Sequence, residues 1–360
     1  MIKKLGTAIS EYSVRNKLDE EIPVYSVTNE QGFCTGYFSK DVASKDRTTY
    51  KIVPYGYFAY NPSRINVGSV DWQHSEERVI VSPLYVVFGV DESVDKRYLL
   101  HYLKSDIARM LIKNYASGSV RDNLKLSTLM EFPFNFRSLE EQKEIANVLD
   151  KIDYLIGVQK QRMDYFDRLV KSRFIELFGD PKDNPKGYSK KQLKETCRVI
   201  TGNTPSRAVS EYYGDHIEWI KTDNIVSGLL NPTTATESLS EKGMAVSRTV
   251  ESGAILMACI AGSIASIGRV CVTDRKVAFN QQINAIVPSD YNILFLYVML
   301  QISKEYLVDE INMALKGILS KSKLEEKTFY VPPMELQEQF AAFVTQVDKS
   351  KHCGEMEVAA

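Results

Sequence analysis

Two groups of polar, basic and aromatic residues, one in each half of the chain, carry side chains that can hydrogen-bond the edges of DNA bases. Asn and Gln can form two hydrogen bonds to adenine, and Arg or Lys can bond guanine. Both groups lie in segments punctuated by Gly and Pro, where binding residues are often found. The candidates are Arg15, Asn16, Lys17, Tyr60, Asn61, Arg64 and Asn66 in the first half, and Thr204, Ser206, Arg207, Lys221, Thr222, Asn224, Arg269, Asn280, Gln281 and Gln282 in the second. Since these residue types are also common in ordinary loops, a structural role remains the alternative for each.

No catalytic or metal-binding motif fits the sequence. A phosphate-binding loop needs G-x-x-x-x-G-K-[ST], whereas the stretch from Gly262 to Arg269 has one residue too many and Arg in place of Lys. The Asn61-Pro62 pair lacks the second Pro and the aromatic residue with which an adenine methyltransferase grips its base. The four His residues show no metal-ligand spacing. We therefore expect a non-catalytic chain with no metal and no cofactor of its own.

Charge and composition limit the kind of partner and the compartment. The 45 basic and 46 acidic residues give a net charge of -1, which excludes a polycation but leaves room for a local basic surface. Residues 1–136 hold 17 basic and 16 acidic residues, and residues 179–334 hold 18 and 17, so each half is +1. Five scattered cysteines form no C-x-x-C pair, and we identify no secretory signal or membrane span. A cytoplasmic protein is expected.

The chain repeats itself at a period near 200 residues. Five matches occur in the same order, with offsets of 197 to 200 residues. They pair residues 65–70 with 265–270, 84–88 with 283–287, 98–103 with 295–300, Gly118 with Gly317, and Leu139-x-x-Gln142 with Leu336-x-x-Gln339. Each half places short β-type runs first and helices afterwards. The sequence thus predicts an α+β fold made by tandem duplication.

A long helix is predicted from about residue 138 to 178, where apolar residues recur at intervals of seven. A strict seven-residue repeat keeps one stripe of a helix facing a partner helix, as in a coiled coil. The predicted seam comprises Ile145, Leu149, Ile152, Ile156, Met163, Phe166, Val170 and Leu177 in the first half, and Leu336, Phe340, Phe343 and Val347 in the second. The two helices would pair antiparallel. The alternative is an amphipathic helix that packs on its own domain.

Five short stretches, in this order on a duplicated chain, carry a family resemblance. They are LEEQKEIA at 139–146, LFGDP at 177–181, TGNTPS at 201–206, AFNQQINA at 278–285 and PPMELQ at 332–337. Over essentially its whole length the chain resembles the specificity subunit of type I restriction-modification systems.

The resemblance implies a non-catalytic prokaryotic protein with two target recognition domains, each reading one half of a bipartite sequence in double-stranded DNA. An antiparallel pair of long helices would set the spacer and dock methyltransferase subunits, most simply two, which bring S-adenosylmethionine; a restriction subunit can join them. The recognition domains would be residues 1–136 and 179–334, with a central spacer helix at 137–178. The heptad pattern fades after Val347, so a shortened second helix and tail are expected at 335–360.

Two alternatives stay open. A two-domain adaptor that binds protein would share the repeat and the long helices, and an enzyme would need to show activity as the purified chain alone. The shortened second helix leaves room for self-association, in which a second copy of the chain supplies the missing helix.

Overall fold

A computed structural model describes residues 1–35, 47–116, 123–309, 311 and 317–359. The chain divides into two compact units, Met1–Ile156 (unit 1) and Gly157–Ala360 (unit 2). Gly118, which the sequence pairs with Gly317, lies outside the described residues.

Unit 1 is built from short strands followed by helices. Its elements are β1 (Ile2–Lys4), β2 (Ile9–Glu11), β3 (Ser26–Thr28), β4 (Gly32–Cys34), β5 (Lys51–Pro54), β6 (Phe58–Tyr60), β7 (Val70–Trp72), β8 (Arg78–Val81), β9 (Val86–Val90), α1 (Lys96–Lys104), α2 (Asp106–Ala116), α3 (Leu126–Met130), β10 (Pro133–Asn135) and the start of α4 (Leu139–Phe178). The largest core cluster of unit 1 includes Phe58, Phe88 and Phe132, all fully buried.

Unit 2 has the same plan with more strands. Its elements are the end of α4, then β11 (Lys190–Gln192), α5 (Leu193–Thr196), β12 (Cys197–Thr201), β13 (Tyr213–Gly214), β14 (Ile217–Ile220), β15 (Ser238–Leu239), α6 (Glu241–Ala245), β16 (Thr249–Val250), β17 (Ile255–Ala258), β18 (Ile260–Ala261), β19 (Val270–Val272), β20 (Val277–Phe279), β21 (Ile283–Pro288), α7 (Ile293–Ile302), α8 (Lys304–Val308), β22 (Gly317–Ile318), α9 (Lys321–Glu326), β23 (Thr328–Tyr330) and α10 (Met334–Ala359).

Both units contain an antiparallel four-stranded sheet with the same strand order. The order is β2-β9-β6-β7 in unit 1 and β12-β21-β17-β19 in unit 2. A two-stranded antiparallel ladder accompanies each sheet, β1 with β10 and β11 with β23. The matched topology, with helices after the strands, confirms the predicted α+β tandem duplication.

The strand ladders correct part of the predicted alignment. Phe58 in β6 pairs with Phe88, and Ile255, at the equivalent position in β17, pairs with Ile286. Phe88 therefore corresponds to Ile286 and not to Val287. A shift of one residue matters because successive side chains in a strand point to opposite faces. Phe88 and Ile286 are both fully buried, in the largest core cluster of their own unit.

The first turns of the two long helices need a second correction. Gln142 in α4 and Gln337 in α10 are both fully buried, whereas Gln339, the predicted equivalent of Gln142, is exposed. Each buried Gln accepts a hydrogen bond from the backbone N–H of the N-cap residue of an earlier helix in its unit, Asp95 of α1 or Asn292 of α7. Gln337 is therefore the counterpart of Gln142.

Local signals explain where α4 begins and ends. Ser138 and Glu141 cap each other: the Ser138 hydroxyl accepts from the Glu141 N–H at 3.2 Å, and the Glu141 carboxylate accepts from the Ser138 N–H at 3.0 Å. At the other end Gly179 has a φ of +81°, and a Cβ there would lie 2.2 Å from Pro185. Only glycine fits this stop.

The buried face of α4 follows the predicted seam only in part. Ile152 and Ile156 are 46% and 43% exposed, and Ile145, Leu149, Met163 and Leu177 are half-buried. Near the end of the helix Val170 is buried and Phe174 and Phe178 are fully buried, a spacing of four that the strict heptad missed. The last turns pack into the core of unit 2, so their buried face follows that core.

In α10 the predicted seam residues do face other apolar groups. Phe340 and Val347 are buried, and Leu336 and Phe343 are partly buried against the same core, as is Phe166 of α4. Phe178 contacts Phe340, with ring centroids 5.6 Å apart, and the carboxylate of Asp167 pairs with the Lys351 amine. In unit 2 the end of α4 therefore lies beside the start of α10, and earlier residues of α4 lie beside later residues of α10.

Candidate nucleic-acid interface

In unit 2, a loop is anchored over two aromatic rings. The Trp219 Nε1–H donates to the Asn203 carbonyl at 3.3 Å, and the Tyr213 hydroxyl donates to the Pro205 carbonyl at 2.7 Å. Gly202 starts the loop where a Cβ would lie 2.2 Å from the Asn280 carbonyl oxygen, so the backbone passes too closely for any side chain. The anchored loop carries Thr204, Ser206 and Arg207, all exposed.

Two basic residues and one carboxylate meet beside these rings. Arg207 Nη2 and Lys221 Nζ each lie 2.6 Å from a different oxygen of Glu237. The Arg207 guanidinium also lies over the Tyr213 ring, 4.5 Å from its centroid. Hydrogen bonds from Lys221 first and Arg207 second lower the pKa of Glu237 below its usual value. The carboxylate is therefore charged at neutral pH, and the cluster carries a net charge of +1.

Polar side chains border this cluster. The exposed Gln281 accepts a hydrogen bond from the Thr204 hydroxyl, which links the loop to the segment after β20. Gln282 is half-buried and is held by Asn280. The structure thus pairs Thr204 with Gln281, and it joins Arg207 to Lys221 through Glu237.

Two of the predicted residues in unit 2 are used inside the protein. Asn224 is buried and fixes its own turn, accepting from the Lys221 N–H at 3.0 Å and donating to Thr233 and Thr234. Asn280 is buried, and its side-chain oxygen accepts from the Gln282 N–H at 3.1 Å. Their hydrogen-bonding groups serve the backbone at turns, which corrects the expectation that they face DNA bases.

Arg269 lies beside the turn that begins at Thr222, the residue after Lys221. Arg269 Nη2 donates to the Thr222 carbonyl at 3.3 Å. Arg269 lines a cavity of about 200 Å³ together with Lys304, Lys351 and Asp167. Desolvation, followed by the charge of Arg269, lowers the pKa of Lys304 below its usual value.

In unit 1, three predicted residues lie on one concave surface. Asn61, Arg64 and Asn66 line a cavity of about 540 Å³, together with Asn29, Tyr85 and neighbours. Arg64 and Asn66 are exposed, whereas the side-chain oxygen of Asn61 accepts from the Ser63 N–H at 3.1 Å. This surface presents amide and guanidinium donors at neighbouring positions.

The remaining predictions in unit 1 divide by burial. Arg15 and Lys17 are exposed, but Asn16 between them is buried, and its amide bonds the backbone of Glu20 in both directions. Tyr60 is fully buried, its hydroxyl donates to the Leu124 carbonyl, and burial raises its pKa. Asn16 and Tyr60 are therefore parts of the fold, which corrects the expectation that they contact DNA.

Sequence reasoning did not include Glu237 or Tyr213 among the site residues. Glu237 lies thirty residues after Arg207 and carries no local signal of its own. Antiparallel pairing of β13 and β14 with β15 brings the three segments together.

Among the residues that the structure describes, no group of three or more His, Cys, Asp or Glu side chains is placed to hold a metal ion. None of the helices in the described ranges is long and apolar enough to cross a bilayer.

The duplicated fold with its polar surfaces belongs to a known class of DNA specificity domains. Residues 3–164 and 185–354 both match the type I restriction modification DNA specificity domain. The chain is therefore a member of this family, with one match in each half, and the predicted resemblance is confirmed.

Curated relatives agree with this membership. The specificity subunit of the type I restriction enzyme MjaIX of Methanocaldococcus jannaschii is 25% identical over 279 residues, covering 70% of this chain and 62% of that protein. The HindI specificity subunit of Haemophilus influenzae is 32% identical over 120 residues. This match covers 32% of this chain and 25% of the HindI subunit. The matched region thus spans less than two thirds of either relative.

Solved structures share the fold. The S subunit of a type I restriction-modification system from M. genitalium has a TM-score of 0.57 at 14% identity, covering 100% of this chain and 92% of that one. A chain from a study of complex assembly and conformational transition in the type I R-M system has a TM-score of 0.51 at 17% identity, covering 100% and 93%. At these identities the likeness concerns the fold alone.

Proposed function

We propose that this chain is the DNA-reading subunit of a type I restriction-modification complex, in which each unit reads one half of a bipartite sequence. The observation that carries the proposal is the duplication: each unit contains a four-stranded sheet of the same strand order, and each unit also presents an accessible group of Asn, Gln, Arg or Lys side chains. Such side chains distinguish base pairs in the major groove. Two similar readers on one chain suit a target made of two separated halves.

The DNA-contacting residues in this proposal are those that the structure leaves accessible. In unit 1 they are Arg15, Lys17, Asn61, Arg64 and Asn66, and in unit 2 they are Thr204, Ser206, Arg207, Lys221, Gln281 and Gln282. Thr222 and Arg269 form a secondary candidate pair. Arg and Lys contacts to phosphate would fix the register, and contacts to base edges would supply the specificity.

The long helices would act as the spacer between the half-sites. In unit 2 the contact of Phe178 with Phe340 and that of Asp167 with Lys351 support antiparallel pairing of α4 and α10 as a short coiled coil. Exposed apolar residues of α4, among them Ile152, Leu155 and Ile156, would provide a docking surface for methyltransferase subunits. Those subunits, most simply two, would bring S-adenosylmethionine and the catalytic groups, and a restriction subunit can join them.

The charge distribution favours DNA binding by the assembled complex over DNA binding by the isolated chain. Each half of the chain carries a net charge of only +1, whereas tight independent binding requires many phosphate contacts and shows a steep dependence on salt. We therefore expect the isolated chain to bind DNA more weakly, and with a shallower salt dependence, than the assembled complex.

The test is selection from randomised DNA duplexes by the chain in complex with its methyltransferase subunit. We expect a motif of two short conserved blocks separated by a spacer of fixed length and free sequence. Enrichment of a single continuous block, or of none, would contradict the proposal. A protein-binding adaptor would enrich no motif at all.

A further inference from the structure

Arg207 is held from three sides, although it lies on the surface of unit 2. Its side chain is 57% exposed, and Nη2 is bound to Glu237 at 2.6 Å. The guanidinium carbon lies 4.5 Å from the centroid of the Tyr213 ring and 5.3 Å from that of Trp219, within the range of a cation–π contact. An exposed Arg normally samples many rotamers, so this side chain is unusually restricted for its position.

The rings that hold Arg207 are themselves fixed. Trp219 is only 3% exposed, and its indole N–H donates to the Asn203 carbonyl. The Trp219 backbone N–H donates to the Glu237 carbonyl at 3.1 Å. The Trp219 ring, the Glu237 carboxylate and the Arg207 guanidinium thus form one connected cluster around β14.

Glu237 holds two cations that differ in accessibility. The Lys221 side chain is 26% exposed, its amine is 2.6 Å from Glu237 Oε1, and it lies 5.2 Å from the Trp219 ring centroid. One carboxylate charge therefore compensates one of the two cations. Arg207 is the more accessible of the two, and Glu237 takes only one of its five N–H donors among the contacts that the structure describes.

We propose that Arg207 reads a guanine in the half-site of unit 2, and that Glu237 determines this specificity by fixing the plane of the guanidinium without touching a base. The inference rests on the proposed DNA-reading function. Arg recognises guanine by two coplanar hydrogen bonds to O6 and N7, so the orientation of the guanidinium plane decides whether both can form. Holding that plane before binding also reduces the entropy lost on recognition.

The competing role for Arg207 is a phosphate contact. A phosphate presents oxygens in many directions, and contacts to it carry no sequence information. Two aromatic rings, inclined at 74° to each other, and a carboxylate contact the one guanidinium and restrict its orientation, which a phosphate contact does not require. The geometry therefore favours a base edge.

The test compares three variants of the full chain in its complex by selection from randomised duplexes. Arg207→Lys keeps the charge but loses the planar pair of donors, so we expect preference for guanine at one position to fall about 5- to 150-fold, with the other half-site unchanged. Glu237→Gln should relax the same position and also make non-specific binding more salt-dependent, by up to about one unit of the log–log slope, because it frees a cation. Arg198→Lys, an exposed change on β12 of the same unit, is the control and should alter neither.

Several outcomes would overturn the inference. A uniform loss of affinity with unchanged base preferences in Arg207→Lys would make Arg207 a phosphate contact. Loss at a base other than guanine, or no change in the motif, would also contradict it. Arg207→Lys is a conservative change at an exposed site, so this variant decides the role of Arg207 even if Glu237→Gln fails to fold. A folded Glu237→Gln complex with an unchanged motif would refute the role of Glu237. A wild-type complex that enriches no bipartite motif would instead refute the proposed function.

Discussion

The side-chain oxygen of Gln337 accepts a hydrogen bond from the backbone N–H of Asn292 at 2.9 Å, deep in unit 2. The amide nitrogen of Gln337 donates to the Pro332 carbonyl at 2.8 Å. Asn292 in turn caps α7, accepting from the Leu294 and Phe295 N–H groups. In unit 1, Gln142 makes the same connection to Asp95, which caps α1. A buried amide thus joins the first turn of each long helix to the start of an earlier helix of its unit, α1 or α7.

We expect Gln337→Ala to lower the free energy of unfolding of unit 2 by about 2–4 kcal/mol. The change removes two hydrogen bonds and leaves the partly buried Asn292 N–H without its acceptor, which costs more than the lost bonds alone. Trp219 fluorescence during denaturant unfolding reports on unit 2 in a Trp72→Phe background, because the chain has only these two tryptophans.

Gln346→Ala, at an exposed position of the same helix, is the matched control and should change stability by less than about 0.5 kcal/mol. Equal effects of the two substitutions would mean that the buried amide contributes nothing specific.

Phe174→Ala should destabilise unit 2 by about 3–5 kcal/mol, because a fully buried ring is lost from the core. Its ring centroid lies 5.2 Å from that of Phe295 and 5.4 Å from that of Phe340. Ile175→Ala, one residue further on and 39% exposed, should cost less than about 1 kcal/mol. If Leu177→Ala destabilised unit 2 more than Phe178→Ala does, the buried face of α4 would follow the strict seven-residue repeat, which would contradict the structure.

The ion pair of Glu218 and Arg275 should make the stability of unit 2 depend on pH. Hydrogen bonds from Arg275 first, and from the Ala235 N–H, lower the pKa of Glu218 below its ordinary value of 4.5. Because the pKa is lower in the folded state, the stabilisation is present above pH 4.5 and is lost as the pH falls through the folded-state pKa. We expect Glu218→Gln to cost about 1–2 kcal/mol at pH 7, and progressively less below pH 4.5.

Chemical unfolding at several pH values measures this dependence, with the exposed Asp215→Asn as control. A cost of Glu218→Gln that stays constant down to pH 3 would show that the carboxylate charge plays no part.

Lengthening α4 should widen the spacer of the DNA target. Duplicating residues 151–157 adds seven helical residues, about 10 Å of rise and close to a whole number of turns, equivalent to about three base pairs. We expect the selected motif to gain about three spacer base pairs with both half-sites unchanged. Replacing the exposed Lys151 and Lys160 of α4 by Ala at constant length should leave the spacer as it is, and a changed half-site in the lengthened protein would argue against a spacer role.

The sequence predicted the duplication, the long helix and several of the exposed polar residues, because these depend on local patterns and order along the chain. It did not predict that Glu237 would join Arg207, since strand pairing over thirty residues brings them together. The sequence also did not predict the burial of Tyr60 and Asn16, because Tyr and Asn occur in cores and turns as readily as on surfaces. The strict seven-residue repeat predicted Leu177 as a seam residue, whereas the core of unit 2 buries Phe174 and Phe178.

Exchanging residues 1–136 for the corresponding domain of a relative with a different target tests the central claim most directly. The methylated sequence is then read at base resolution from cells that contain the hybrid chain with its methyltransferase subunit. The two-reader account predicts that one half of the bipartite sequence changes to that of the relative, while the other half stays the same. If both halves change, or neither does, the claim that each unit reads its own half is wrong.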